Sequence, residues 1–205
     1  MTITALLVII IITGLISYNA FSNVDLKNRW MYSPYLCKND KEYYRIFSHL
    51  FIHADFSHLL FNMLSLYFLG NFLIQNFMLT YGLWVGQIHF LVLYFLGGLF
   101  ATLIPYFRNQ DNPSYMALGA SGAVSAVIFG AIMWDPFMKL QLLFIPIPIP
   151  AYVFGPLYMA YEIYSDRRGN TGVAHDAHIG GAIFGVLYIL IINVDKGKEL
   201  IDKIF

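Results

Sequence analysis

Long apolar segments separated by short polar connections dominate the pattern of this chain. An α-helix needs about 20 apolar residues to cross the hydrocarbon core of a bilayer. Six segments meet or approach this requirement, so we predict six transmembrane helices in an all-α integral membrane protein with a single domain, residues 1–205. The predicted helices span residues 3–21, 57–78, 83–107, 121–134, 149–164 and 173–194.

The first segment is apolar enough to be either a transmembrane helix or a cleavable signal peptide. A signal peptide begins with a basic stretch, and no Lys or Arg precedes Lys27 in this chain. We therefore expect a retained transmembrane helix. The charged tail at residues 195–205 is expected to be cytosolic and weakly ordered.

The connection at residues 22–56 is the longest in the chain and is rich in aromatic and basic residues. This composition favours a folded loop at the membrane interface over a flexible linker. The loop also obscures the orientation of the protein, because it holds five of the twelve basic residues on the side opposite the termini. A count of basic residues by itself would place that side in the cytosol.

The fourth segment is informative because it is short. Fourteen helical residues extend for roughly 21 Å, whereas the hydrocarbon core is about 30 Å thick. The stretch before it, residues 113–119, contains Pro and Gly and is unsuited to a helix. Non-helical backbone at membrane depth must be buried in protein or line a watery cavity. We therefore predict that this helix begins beneath a water-filled pocket.

Composition supports a membrane protein and excludes several other classes. Apolar residues make up 59% of the chain, charged residues make up 12%, and the mean hydropathy is +0.63. Soluble domains carry about twice that share of charge. The formal net charge is zero, so no basic surface for nucleic acid is expected. Cys37 is the single cysteine and cannot form an internal disulfide.

The first candidate cluster is Gly119-Ala120-Ser121-Gly122, at the start of the fourth helix. A serine at a helix N-terminus lies beside backbone N–H groups that have no partner within the helix, and such groups can stabilise an oxyanion. Small residues such as Gly119 and Gly122 allow a substrate to approach closely. The alternative is that the stretch serves only for close helix packing.

The second cluster lies on the sixth helix, where His178, Gly181 and Gly185 share one face. A serine hydroxyl is a weak nucleophile until a histidine within hydrogen-bond reach activates it. The alternative is a histidine that only links helices. Asp176 lies about 200° around the helix from His178, so it is not expected to orient that imidazole.

The third cluster is His58 and Asn62, whose spacing places both on one helix face. Both side chains can donate hydrogen bonds to an oxyanion, or they can form a polar pair within the bundle. Together with His49 and His53, His58 also raises the alternative of a metal site. No Cys or Glu completes a recognised zinc pattern, so no metal and no cofactor is expected.

These clusters, in this order and on these helices, resemble the rhomboid family of intramembrane serine proteases. Glu42-Tyr43-Tyr44-Arg45 is similar to the first-loop motif of that family, which usually has Trp where Tyr44 stands. The resemblance implies a rhomboid-like bundle of six helices with a folded first loop. It also implies that Glu42 and Arg45 brace this loop, and that Gly181 and Gly185 let two helices pack closely.

The resemblance further implies a catalytic dyad, with Ser121 as nucleophile and His178 as general base. His58, Asn62 and the Ser121 backbone N–H would stabilise the oxyanion, and the fifth helix with the loop at residues 165–172 would act as gate and cap. No third acid is expected. The chain departs from the family pattern at Ser125, where an aromatic residue often stacks on the histidine.

The implied substrates are single-pass or other membrane proteins, cleaved within the lipid bilayer of a bacterial inner or plasma membrane, with both termini of the enzyme cytosolic. Two alternatives stay open. A non-catalytic rhomboid relative would bind membrane proteins without cutting them, although such relatives usually lack the serine or the histidine. A small transporter would need charged relay residues, and within the predicted helices Glu162 is nearly the only candidate.

Overall fold

The computed structural model describes residues 4–142, 145–169 and 171–204, and residue 3, the predicted start of the first helix, lies outside them. Within these ranges the chain is mainly helical. The helices are α1 (Ala5–Ser22), α2 (Val24–Trp30), α3 (Pro34–Asn39), α4 (Arg45–Ser48), α5 (Phe56–Tyr81), α6 (Leu83–Ala101), α7 (Leu103–Asn109), α8 (Ser121–Trp134), α9 (Ala151–Arg168), α10 (His175–Ile192) and α11 (Asp195–Ile204).

Four helical segments among the described residues are long and apolar enough to cross a membrane, by length and composition. They are α1, α5, the pair α6–α7 and α10. The remaining two predicted spans are α8, which is apolar but has only 14 residues, and α9, whose C-terminal end carries charged residues. The prediction of an all-α membrane bundle is therefore confirmed.

Helix α8 forms the centre of the bundle. It packs against α5, α6 and α10, and only Ser121 and Ile128 on it are partly exposed. A helix that is apolar on every side is suited to such complete burial. Its length therefore does not have to match the bilayer, because protein surrounds it. Ser121 is the first residue of this central helix, so its position is fixed by the three helices around it.

Small residues allow the central helices to pack closely. A Cβ atom on Gly185 would overlap with the backbone carbonyl of Ala126, and one on Gly97 would overlap with the Ala126 side chain. Such contacts bring α6, α8 and α10 nearer than larger side chains would permit, as in other membrane bundles. This packing holds the candidate site residues at the starts of α8 and α10 in a fixed relative position.

The first loop is folded, as predicted, into α2, α3, α4 and a short 3₁₀ turn at His49–Phe51. Arg45 is 5% exposed, forms an ion pair with Glu42 at 2.5 Å, and donates hydrogen bonds to the carbonyl oxygens of Asn28 and Met31. The buried guanidinium contacts one carboxylate and two carbonyl oxygens, and these contacts join the end of α2 to the start of α4. The loop is thus held as one unit against the membrane helices.

The fifth predicted helix begins later than expected, because the alternating prolines before it form a strand. Strands β1 (Lys139–Leu142) and β2 (Ile145–Pro150) pair antiparallel, with Lys139 opposite Pro150. A proline has no N–H group, and prolines at every second residue all affect the same edge of β2. The N–H groups on the other edge therefore remain free to pair. Helix α9 then starts at Ala151 and continues four residues past its predicted end at residue 164.

The C-terminal tail forms a helix, which corrects the expectation of weak order. Helix α11 begins at Asp195 and has ion pairs between residues three apart, Lys196 with Glu199 and Lys198 with Asp195. Pairs at this spacing support a helix because both side chains lie on one face. Leu200 packs against the hydrophobic core of the bundle, which anchors the helix.

Candidate functional site

The structure brings Ser121 and His178 together, although they are 57 positions apart in the chain. The Oγ atom of Ser121 lies 2.8 Å from Nε2 of His178. Ser121 opens α8, and His178 lies in the first turn of α10, so both side chains stand at the same end of two closely packed helices. This is the nucleophile-to-base distance of a serine hydrolase.

The backbone that leads into Ser121 is positioned by one residue of the first loop and one of α5. Gly119 has a φ of +116°, and a Cβ on it would lie 2.7 Å from Cε1 of His58. Its N–H donates to the carbonyl of His49 at 3.0 Å. Only glycine adopts this backbone conformation easily and leaves room for the His58 ring. Gly119 thus sets the entry to α8 and the place of His58.

His53, which was considered for a metal site and also fits the run of residues into the second helix of the rhomboid family, contacts the segment before Ser121. Its Nε2 accepts a hydrogen bond from the N–H of Ala120 at 3.3 Å, and its Nδ1 lies 2.9 Å from Oγ of Ser17 on α1. Burial lowers the pKa of His53 to about 3, with a smaller contribution from the neighbouring His58, so the ring stays neutral. A neutral ring can accept the hydrogen bond that fixes the residue before the nucleophile.

His58 and Asn62 lie on one face of α5, as their spacing predicts. Helix α5 begins with Asp55 as its N-cap, because the Asp55 carboxylate accepts a hydrogen bond from the His58 N–H. His58 is therefore in the first turn, and its ring faces Gly119. The Asn62 amide donates to the His58 carbonyl at 2.9 Å and is 7% exposed.

A cavity of about 870 Å³ joins these side chains. Its walls come from α5, the segment before α8, the start of α8, the end of α9 and the start of α10. A cavity of this size can hold several residues of an extended peptide together with water. The predicted site residues on its wall are Ser121, His178, His58 and Asn62.

Glu162 corrects the expectation that no acid lies near His178. This α9 residue is 3% exposed, and its Oε2 lies 3.1 Å from Nδ1 of His178 and 2.5 Å from Nδ1 of His175. Asp176, by contrast, forms an ion pair with Arg108 at 3.3 Å. The sequence signal for Glu162 was a carboxylate within an apolar helix, which is costly unless it is paired.

Two of the histidines considered for a metal site are neighbours, since the ring centroids of His53 and His58 lie 4.9 Å apart. Within the described ranges, however, the group that could hold a metal ion is Glu162, His175 and His178. Their candidate ligand atoms lie within 4.8 Å of one another. The same atoms already contact each other, and His178 also contacts the serine hydroxyl. We therefore interpret the group as a cluster of polar side chains around the Glu162 carboxylate.

A comparison with known protein families shows which family this chain belongs to. The family model described as Rhomboid domain matches residues 40–194, about three quarters of the sequence. The chain belongs to the rhomboid family. The matched region begins in the first loop and includes all three candidate clusters, so the resemblance predicted from the motifs is confirmed.

The rhomboid relatives of this chain include proteins of a plant and of an animal. RHOMBOID-like protein 12, mitochondrial, of Arabidopsis thaliana is 28% identical over 198 residues, which cover 89% of this chain and 55% of that protein. Presenilin-associated rhomboid-like protein A, mitochondrial, of Danio rerio is 30% identical over 153 residues, 74% of this chain and 37% of that protein. This rhomboid chain thus spans about half the length of these relatives, or less.

The departure from the rhomboid pattern at Ser125 is clear in the structure. Ser125 lies one turn after Ser121 and is 1% exposed, so its side chain is enclosed by the bundle. The ring of His175 stands edge-on to His178 with centroids 6.0 Å apart. Tyr158 of α9 interacts with both Ser125 and Glu162 through its hydroxyl. In this rhomboid chain, residues of α9 and α10 occupy the space beside the histidine.

Proposed function

We propose that this protein is an intramembrane serine endopeptidase that cleaves transmembrane segments of other membrane proteins. The observation that supports it most directly is the 2.8 Å contact between Ser121 Oγ and His178 Nε2. This contact lies on the wall of a cavity in a membrane bundle, where a polypeptide substrate and water can meet. Membership of the rhomboid family supports the same class of reaction.

In the proposed mechanism, Nε2 of His178 accepts the hydroxyl proton as Ser121 Oγ attacks the scissile carbonyl. The negative charge that develops on the carbonyl oxygen is stabilised by the Ser121 N–H, which has no partner within its helix, and by donors from His58 and Asn62. His178 then gives its proton to the leaving amine. A water molecule releases the acyl group by the same steps.

The location of the site restricts its substrates. A peptide bond within a transmembrane helix has its carbonyl engaged in the helix, so the segment must unwind before it can reach Ser121. Segments with Gly, Pro or polar residues near one membrane end are the preferred class. Replacing such residues by Leu around a mapped cleavage site should slow cleavage, and undiminished cleavage would contradict this preference.

We further propose that α9 and the loop at residues 165–172 form the gate and cap above the cavity. Six membrane helices place both termini on one side, and we assign that side to the cytosol of a bacterial cell, with the protein in the plasma membrane. This assignment follows the topology that the rhomboid resemblance implies. The topology is tested in intact cells by labelling a single cysteine introduced in the tail or in the first loop of a Cys37→Ser variant, and labelling of the tail from outside would overturn it.

The decisive experiment compares the wild-type protein with Ser121→Ala and His178→Ala in liposomes that contain a panel of reporter single-pass membrane proteins. Wild type should cut at least one reporter, and both variants should lose nearly all cleavage, at least about 10³-fold. Ser114→Ala and His89→Gln are matched controls, because Ser114 is in an exposed loop and His89 contacts Tyr188. Both controls should cut normally.

Two outcomes would overturn the proposed function. If Ser121→Ala cuts as well as wild type, the serine is not the nucleophile. If wild type binds reporters but cuts none of them, the protein is a membrane-protein binding adaptor, and the histidine and serine serve only the packing of α8 and α10.

A further inference from the structure

We propose that Glu162 is a positioning residue for the general base, so that Ser121, His178 and Glu162 form a linked series across three helices. The inference rests on the proposed function, because it concerns how the same site is activated. It goes beyond that function, because a serine–histidine dyad can act without a third group and the inference adds one.

The geometry of the three side chains is that of a nucleophile, a base and an orienting acid. Nε2 of His178 lies 2.8 Å from Ser121 Oγ, and the opposite ring nitrogen, Nδ1, lies 3.1 Å from Glu162 Oε2. The Glu162 side chain is 4% exposed and that of His178 is 12% exposed. A carboxylate on the far side of the ring stabilises the imidazolium that forms during attack.

The carboxylate also determines which ring nitrogen carries the proton. Nδ1 of His178 is buried and has no aligned hydrogen-bond partner among the described residues, although Glu162 Oε2 lies at contact distance. A small rotation of either group aligns them, and such bonds commonly tighten when substrate binds. A proton on Nδ1 leaves the lone pair on Nε2, where it can accept the Ser121 proton.

His175 explains how Glu162 is held in place. Its Nδ1 lies 2.5 Å from the same Oε2 atom, and the hydroxyl of Tyr158 also interacts with Glu162. A buried carboxylate is costly unless it is surrounded by donors. These two donors fix the carboxylate next to His178 and compensate for the absence of an aromatic ring at Ser125.

The three groups lie on helices that differ in how firmly they are packed. Helices α8 and α10 form the most extensive contact in the bundle, whereas α9 packs mainly against one side of α10. Movement of α9 away from α10 would carry Glu162 away from His178 and leave the serine–histidine pair intact. The activation of the base is thereby coupled to the closed position of α9.

A soluble fluorophosphonate probe tests the inference, because its reaction does not require a transmembrane substrate. Ser121 Oγ forms a bond to phosphorus as the P–F bond breaks and fluoride leaves. The hydroxyl proton passes to Nε2 of His178 and then to water. Glu162 stays ionised throughout and holds the Nδ1 proton by a hydrogen bond. The labelling rate therefore reports the activation of the serine and not the entry of a peptide.

The experiment compares the labelling rate and the kcat and KM for a cleaved reporter in wild type, Glu162→Gln, Glu162→Asp and Glu199→Gln. Glu199 is a matched control, because it is a glutamate of α11 that lies outside the cavity and forms an ion pair with Lys196. Glu162→Gln should lower labelling and kcat by at least about tenfold with little change in KM. Glu162→Asp should recover part of the rate, and Glu199→Gln should stay within about twofold of wild type.

Each result bears on one of the two proposals. If wild type is labelled at Ser121 and Glu162→Gln reacts equally fast, the inference about Glu162 is wrong and the proposed function stands. Equal losses in Glu162→Gln and Glu199→Gln would also overturn it, since the loss would then not depend on the contact between Glu162 and His178. If Glu162→Gln does not fold, an undiminished rate in Glu162→Asp overturns the inference. Failure of wild type to react overturns the proposed function and this inference with it.

Discussion

The Cα of Gly181 on α10 lies directly against the backbone carbonyl of Gly122 on α8. A Cβ atom on Gly181 would overlap with that carbonyl oxygen. Because Gly122 immediately follows Ser121, and Gly181 lies one turn after His178, this backbone contact fixes the separation of the two proposed catalytic residues. The distance between Ser121 Oγ and His178 Nε2 therefore depends on the absence of a side chain at Gly181.

Replacing Gly181 with Ala should destabilise the protein and reduce activity. The added methyl group meets backbone, which cannot move aside as a flexible side chain would, so a loss of about 1–3 kcal/mol in the free energy of unfolding is expected. Gly14→Ala is the matched control, because a Cβ there has open space and alanine favours a helix. Unfolding in detergent measures both variants. Equal stability of Gly181→Ala and Gly14→Ala would contradict the packing argument.

The donors for the oxyanion can be tested on α5 with a control from the same helix. Asn62→Ala and His58→Ala should each lower kcat by about 10²–10³, with smaller changes in KM. Asn76 makes a similar bond from its amide to a carbonyl four residues earlier, at 2.8 Å, but lies outside the cavity. Asn76→Ala should retain activity. If Asn62→Ala and His58→Ala change only KM, the two residues bind substrate and do not stabilise the oxyanion.

The stability of the protein should fall as pH is lowered, because two buried histidines of the first loop stay neutral when folded. Burial lowers the pKa of His49 to about 4 and that of His53 to about 3 from an ordinary value of 6.5. Below about pH 6.5 the unfolded chain therefore binds protons that the folded protein does not, and unfolding becomes more favourable by up to about 1.4 kcal/mol per pH unit for each group.

Thermal unfolding in detergent at about pH 7 and about pH 5 measures this effect. The His53→Gln variant has lost one of the two titrating groups, while its amide still offers an acceptor for the Ala120 N–H. It should therefore lose less stability than wild type over the same interval. An identical loss in wild type and His53→Gln would show that His53 does not contribute.

Arg108 links the ends of α7, α9 and α10. Its guanidinium lies 2.8 Å from a carboxylate oxygen of Asp166 and 3.3 Å from one of Asp176. Arg108→Gln should therefore loosen the segment after α9 and speed trypsin cleavage at the neighbouring Arg167 and Arg168. High salt should have the same effect in wild type. Because Arg108 is about half exposed, the global free energy of unfolding should change by no more than about 1 kcal/mol.

Lys38→Gln provides the control for this prediction, since it removes an exposed ion pair with Asp111 elsewhere on the same side of the bundle. It should leave trypsin cleavage after α9 unchanged. If Arg108→Gln and Lys38→Gln behave alike, the contacts of Arg108 do not restrain α9.

The amino-acid sequence by itself determined the elements of the bundle. Helices were predictable because each depends on a continuous run of apolar residues, and the short fourth segment ending before Asp135 indicated a helix that begins beneath a pocket. The motifs around Ser121 and His178 were predictable because a few residues in fixed order carry them. The fifth helix was predicted to begin at residue 149 rather than at Ala151, since the pairing of the alternating prolines in β2 depends on a partner strand.

Only the tertiary structure decided which residues support these motifs. Glu162 contacts His178 from a separate helix, and His53 receives a hydrogen bond from Ala120, which is 67 positions away. No local pattern encodes such pairs, because they depend on how α9 and the first loop pack against α8 and α10. The sequence placed a costly carboxylate in an apolar helix, and the packing of the helices determined that its partners are His175 and His178.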